Sequence, residues 1–452
     1  MKTTLSKISE KQLRIIFSVL LIGITVYFQV QRLRNIPMTW DEGLTYVIHT
    51  RRFFYRHNYW GELTRYFTEW TEDAGNNHLL NTHLIALAEL ITQTRFNDVV
   101  IRLPVTCFLV GYTFLSTRMF IKGQISWIGY GMLMCCSYMN EFFALARGYT
   151  MSATLVLLAA YFFKKWQDEK KPYQIVLTFY VMLFAELANT ATLLVVFSFA
   201  IVFFAEAIIE KDLIGLFKKL WLPMAVYFVL QVLLAIHHFH ITAWDGLYAE
   251  YEHGVRRMMY DTLTLSAGNE SRAAILFWAI MVIIAINAIL FFVKIRNLKP
   301  YTFGIILFLY FVICFFAVNM SEGGGYPQGR VIIISYPLVG LAVDELVRNL
   351  GVISSNRIGT IFTKCVQAVG TVFIVFLLLV NTNCKVSTDW PEAIIYKNAV
   401  YDAYEKGIKT DRKYFEQFDP NTDAVRYWRD KIFYEDKFDV FGEASSEDTD
   451  VG

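Results

Sequence analysis

Charge is scarce in this chain. Only 18% of its 452 residues are Asp, Glu, Lys or Arg, against 55% hydrophobic and 16% aromatic. Mean hydropathy is +0.39, and the apolar residues come in runs of about 20, the length that crosses a bilayer. That excludes an ordinary soluble domain. Cysteine is sparse and badly placed for bridging. Cys107, Cys135, Cys136, Cys314 and Cys365 fall inside apolar runs and read as small hydrophobes, while Cys384 stands alone outside them. Neither a disulfide framework nor a zinc spacing is present. There is no Gly-rich nucleotide-binding fingerprint, no low-complexity linker and no internal repeat, and no nucleic-acid partner is expected. The basic opening MKTTLSKISEKQLR runs into an apolar stretch without a small-residue cleavage site. A retained first span is therefore expected rather than a cleaved signal peptide.

What is present is an all-α, polytopic membrane protein. Eleven spans can be drawn, near 14–33, 99–120, 125–144, 149–163, 174–189, 190–209, 220–239, 273–293, 301–319, 331–347 and 361–380. The short turns with Arg118 and Lys122, then Lys164, Lys165, Lys170 and Lys171, then Lys211, Lys218 and Lys219, then Lys294, Arg296 and Lys299, share a side with the N-terminus. The positive-inside rule makes that side cytoplasmic and puts the C-terminal tail outside. Two parts are expected: a membrane domain over 1–380, with a first outer loop at about 34–98, and a soluble tail over 381–452. The tail holds 16 acidic and 10 basic residues, the first 380 residues 24 and 32. Residues 78–91 carry apolar positions at helical spacing and suit a helix lying flat on the membrane surface.

The densest polar signal is Pro37-Met38-Thr39-Trp40-Asp41-Glu42-Gly43, just after the first span. Two carboxylates at a membrane surface are costly unless something needs them. Thr39 as N-cap with Glu42 three residues on forms a capping box. Asp41 is not needed for that, because it lies about 100° round the helix from Glu42. Glu42 thus reads as structural and Asp41 as presented to a cleft. Arg147, at the outer end of the third span, either snorkels to lipid headgroups or clamps a phosphate with its planar fork. Arg330, after a Gly-rich turn at 321–327, presents the same choice. Glu186 near the end of a span is a candidate because ionisable groups there are rare. His78 and His83 point about 140° apart on a helix and cannot ligate one metal as neighbours. His237, His238 and His240 cluster near the end of the seventh span, and a zinc or manganese site would need ligands from several elements.

In their order along the chain these features resemble the GT-C superfamily of membrane glycosyltransferases, closest to bacterial relatives of protein O-mannosyltransferases and of lipid A aminoarabinose transferases. The resemblance rests on Asp41-Glu42 after the first span, His78 in a loop helix, Ala146-Arg147-Gly148-Tyr149 after the third span, and Arg330 before Tyr336-Pro337-Leu338. It covers 1–380 and leaves the tail outside. It implies a bundle of about 11 transmembrane helices in the bacterial inner membrane. The implied activity is inverting transfer of a hexose or pentose from a polyprenyl-phosphate donor to a glycan, lipid or protein hydroxyl on the outer face. By the resemblance Asp41 is the general base, Arg147 and Arg330 hold the donor phosphate, and Glu42 orients Arg147 or the acceptor. His78, Tyr149 and Glu186 are further candidates, and a divalent metal stays open. The first loop lacks an Asp-x-Asp, which speaks against the metal-dependent oligosaccharyltransferase branch, and the tail shows no β-trefoil repeats. The rival expectations are a transporter or flippase for a lipid-linked saccharide, with polar groups at mid-membrane, and a non-catalytic scaffold.

Overall fold

The computed structural model describes residues 9–50, 78–210, 213–245, 262–264, 267–292, 300–320, 329–351, 357–391, 393–406, 427–428 and 431. The turn at 321–327, the basic residues Lys211, Lys294, Arg296 and Lys299, and the side chains of His237, His238 and His240 lie outside them. The described residues are mostly helical, with no strand among them. In chain order the α-helices are α1 Glu10–Asn35, α2 Trp40–Gly43, α3 Leu79–Thr92, α4 Asp98–Ile121, α5 Trp127–Met134, α6 Ser137–Phe142, α7 Tyr149–Glu169 and α8 Pro172–Ala188. They continue with α9 Leu193–Ile209, α10 Leu213–Asp245, α11 Glu270–Phe292, α12 Thr302–Met320, α13 Tyr336–Leu350, α14 Arg357–Asn381 and α15 Ala393–Glu405. A π-helical stretch, Leu44–Thr50, follows α2, and a 3-10 stretch, Gly329–Ser335, leads into α13.

Among the described residues, six segments are long and apolar enough to cross a membrane: Glu10–Asn35, Asp98–Ile121, Thr190–Ile209, Lys218–Ile236, Glu270–Ile289 and Gly359–Asn381. Their outward faces are apolar. Val110, Phe228, Trp278, Val369 and Val372 are each about two-thirds exposed or more. In water these would be adhesive patches; in hydrocarbon they face their natural solvent. The protein is a helical membrane protein.

One expected span is not continuous. The stretch 125–144 divides into α5 and α6 at Cys135-Cys136. Asn140 Nδ2 donates to the Met134 carbonyl (2.9 Å), satisfying an oxygen that the end of α5 leaves open. Hydropathy alone cannot see a break repaired by one amide side chain. The 149–163 span is longer than drawn, because α7 continues to Glu169 through Lys164–Asp168 and Lys165–Glu169 pairs at i,i+4.

The chain folds into two compact units that alternate along it. The first takes Met1–Tyr27, Phe108–Asn140 and Tyr149–Thr382; the second takes Phe28–Cys107, Glu141–Gly148 and Asn383–Gly452. The passage at Thr382 coincides with the end of the last expected span. In the first unit, aromatic side chains interlock α7, α8 and α9, with Phe163 edge-on to Phe199 and Phe179 edge-on to Phe203. Asp344 of α13 accepts from the Ser126 amide at 2.6 Å. It sits so close to α5 that a methyl at Gly129 would meet its Oδ1 at 2.6 Å, so glycine is the residue this approach allows.

In the second unit, Met38, Tyr46, Ile85, Phe96, Ile101, Ala146, Val400, Tyr427 and Trp428 form one buried cluster. Helix α3 contributes Ile85 to it and buries polar side chains alongside. Asn81, Thr82 and Glu89 are buried, while Leu87, Leu90 and Ile91 are exposed. A helix that buries an amide, a hydroxyl and a carboxylate while leaving two leucines and an isoleucine outward suits an apolar medium on its outer side.

Candidate active site

The Asp-Glu pair is held by the local rule its sequence announces. Thr39 is the N-cap of α2, and its hydroxyl accepts from the Glu42 amide at 3.4 Å while Glu42 Oε2 accepts from the Thr39 amide at 3.0 Å. The capping box is formed. Glu42 does much more than cap. Its carboxylate takes a bidentate grip from Arg102 of α4, Nε at 2.7 Å and Nη2 at 2.6 Å, with both side chains wholly buried. Arg102 also donates to the carbonyls of Ile36 (2.8 Å) and Pro37 (3.1 Å). The fork geometry of guanidinium suits this bridging role.

Glu42 Oε1 also accepts from the Ala146 amide at 2.7 Å. The carboxylate expected to orient Arg147 thus contacts that segment through the neighbouring backbone, and its guanidinium partner is Arg102. The same segment is clamped twice more: Asn81 of α3 donates to the Ala146 carbonyl (2.7 Å), and Gln29 of α1 to the Phe143 carbonyl (2.5 Å). Arg147 is fixed by its neighbours before its own side chain is considered.

That side chain points at Asp41. Arg147 Nη1 donates to the Thr45 hydroxyl (2.8 Å) and the Asp41 carbonyl (3.2 Å), and Nη2 lies 3.3 Å from Asp41 Oδ2. Arg147 is fully buried and Asp41 is 4% exposed. This pair is looser than Glu42–Arg102, at 3.3 against 2.6 Å. It is the more open to exchange of partners, because buried ion pairs hold best at short bidentate geometry.

The other expected residues fall in two places. His78 belongs to the second unit, buried at the N-cap position of α3, with its carbonyl accepting from the Thr82 amide (3.0 Å). Tyr149, Arg330 and Glu186 belong to the first. There Arg330 Nε donates to the Tyr149 hydroxyl at 3.1 Å. Glu186 of α8 accepts from Gln231 of α10 at 2.5 Å, and Gln231 in turn accepts from the Tyr227 hydroxyl at 2.7 Å. Glu186 Oε1 is buried with no hydrogen-bond partner among the described residues. Among those residues no group of three His, Cys, Asp or Glu side chains is placed to hold a metal.

Residues that sequence reasoning passed over complete the second unit. Arg102 sits four residues into an apolar helix, and the rule that flagged Glu186 applies to it equally. Glu141 gathers the Ser387 hydroxyl (2.9 Å), the Thr388 amide (2.7 Å) and the Thr388 hydroxyl (2.6 Å). Arg32 Nε reaches the Asn383 carbonyl at 3.0 Å. Tyr427 donates to the Phe96 carbonyl at 2.8 Å and contacts Asp98. Burial, with the Asp98 charge beside it, holds the Tyr427 phenol well above its usual range. No local pattern marks these tail contacts.

No protein-family model, curated protein or solved structure matches the chain.

Proposed function

We propose that the protein is an inverting, GT-C-like glycosyltransferase built on about 11 transmembrane helices. It would move a sugar from a polyprenyl-phosphate donor to an acceptor hydroxyl at the outer face of the bacterial inner membrane. The observation that carries this reading is the buried Asp41–Arg147 pair, a carboxylate and a guanidinium 3.3 Å apart, with the Arg147 segment held through Ala146 and Phe143. A proton acceptor beside a phosphate-matching cation is what such a transfer requires. In the reaction Asp41 takes the proton from the acceptor hydroxyl, and the freed oxygen forms a bond to the anomeric carbon. The bond from that carbon to the phosphate oxygen breaks from the opposite face. The polyprenyl phosphate departs with the electron pair, its charge met by Arg147. The donor phosphate would draw Arg147 away from Asp41 and leave the carboxylate ready to act. Arg330, tied to Tyr149, is the second candidate for phosphate contact; Glu42 supports the site through Ala146.

The direct test is transfer of radiolabelled sugar from a synthetic polyprenyl-phosphate donor by full-length protein in proteoliposomes. Arg147→Lys keeps the charge but loses the fork, so turnover should drop by about 10²-fold if the residue clamps phosphate. A snorkelling arginine would tolerate lysine. Glu186, a buried carboxylate within an apolar helix, is the observation that favours the rival carrier reading. Movement of the labelled lipid between leaflets without any sugar transfer would replace the enzyme reading with that one.

Sidedness has its own test. Ser445 lies outside the described residues, in the tail that the charge pattern places outside. Ser445→Cys should label with a membrane-impermeant thiol reagent in intact spheroplasts. Labelling only after lysis would reverse the topology and remove the outer-face assignment.

A further inference from the structure

The tail begins by fastening itself to the segment that carries Arg147. Asn383 Oδ1 accepts from the amides of Lys385 (3.0 Å) and Val386 (3.3 Å), which turns the chain tightly after α14. Before the turn, the Asn383 carbonyl is held by Arg32 of α1. After it, Ser387 and Thr388 meet Glu141. Glu141 Oε1 accepts from the Ser387 hydroxyl and the Thr388 amide, and Oε2 accepts from the Thr388 hydroxyl. The Trp390 ring then lies against Phe142, with 6.0 Å between ring centroids.

Glu141 is 2% exposed. A buried carboxylate is costly unless donors meet it, and its described partners all come from two consecutive tail residues. The same residue opens the run of turns that ends at Arg147. Its carbonyl accepts from the Ala144 amide (2.8 Å), that of Phe142 from the Leu145 amide (3.3 Å), and that of Leu145 from the Arg147 amide (2.7 Å). Every residue from Glu141 to Gly148 is buried. A close-packed run of this kind passes a shift at one end to the other, because it has no slack to absorb it.

We propose that Glu141 is a positioning residue for Arg147: by gripping Ser387 and Thr388 it sets the turns that present the guanidinium to Asp41. The docked start of the tail is then a working part of the site. This rests on the transferase reading and deepens it, since it gives residues 383–391 a role in the transfer.

The test is sugar transfer from the synthetic polyprenyl-phosphate donor by full-length variants in proteoliposomes, with melting temperature recorded for each. Glu141→Gln turns an amide toward groups that already donate, and turnover should fall about tenfold, within the range that small misplacements cost. Thr388 is exposed, so Thr388→Val should fold normally and still lower turnover by about threefold. Thr388→Ser keeps the hydroxyl and should match the parent. The deciding measurement repeats Glu141→Gln in the Arg147→Lys background. There it should cost less than about twofold more, because a residue that acts through Arg147 has little left to act on. The same fractional loss in both backgrounds would make Glu141 a support of the fold alone and overturn the proposal. So would turnover unchanged by both Glu141→Gln and Thr388→Val. Absence of transfer by the parent protein would instead remove the transferase reading, and this role with it.

Discussion

Arg102→Met should lower the stability of the protein by about 3–5 kcal/mol, the cost of leaving a buried charge without its partner. Methionine fills a similar length but returns none of the guanidinium hydrogen bonds. Glu42 would keep its charge in a place with no water, and the carbonyls of Ile36 and Pro37 would lose their donors. Thermal unfolding of the purified variant in detergent measures the effect, expected on the order of 10 °C. Glu42→Gln should be milder. Its amide oxygen can still accept from the Ala146 amide or from Arg102, and glutamine serves in a capping box. A fall of only one or two degrees in Arg102→Met would show that water reaches this pair and that Glu42 is not the anchor of the segment.

Asp41→Asn should do the reverse, sparing the fold and removing the chemistry. Arg147 keeps its bonds to the Asp41 carbonyl and the Thr45 hydroxyl, and Thr45 keeps its own bond to that carbonyl; only the ion pair with the Asp41 carboxylate is lost. Asparagine keeps the shape of the side chain but cannot take a proton from an acceptor hydroxyl. Transfer from the polyprenyl-phosphate donor should therefore decrease by about 10²–10⁴-fold. Melting temperature should fall less than in Arg102→Met, because the Asp41 pair is the looser one and asparagine's Oδ1 can still accept from Arg147, and donor binding should be kept. Turnover near normal would end the general-base assignment, whatever becomes of the phosphate role of Arg147.

These two variants mark how much was legible before the structure. The capping box was readable because it is a local rule: Thr39 and Glu42 are three residues apart, and helix geometry does the rest. The partner of Asp41 was not readable in that way. Arg147 lies 106 residues downstream; it entered the sequence reading as a choice between snorkelling and clamping, and by the resemblance as a phosphate clamp oriented by Glu42, never as the partner of Asp41. Helices were legible wherever hydropathy and length agree, as in α1, α4 and α14. They failed at Cys135-Cys136, where the interruption depends on Asn140 turning back to cap a carbonyl. Arg102 was visible but overlooked, an ionisable residue inside an apolar run. The tail contacts were invisible in principle. Tyr427 and Trp428 sit in an acidic, polar stretch, and nothing in their neighbours says that Met38 and Tyr46 wait for them.

That last packing has a consequence for how the protein is made. Met38 and Trp428 share one buried cluster yet are separated by 390 residues. At translation rates of about 5–20 residues per second, the ribosome needs about 20–80 s to travel from one to the other. For all that time Met38 and Tyr46 stand without the aromatic side chains of Tyr427 and Trp428 that later pack against them. The order of synthesis makes the last segment the finishing piece of the first. A chain stopped after the final span can be fully inserted and still lack this completed cluster, so quality control that checks only membrane insertion would pass an unfinished fold.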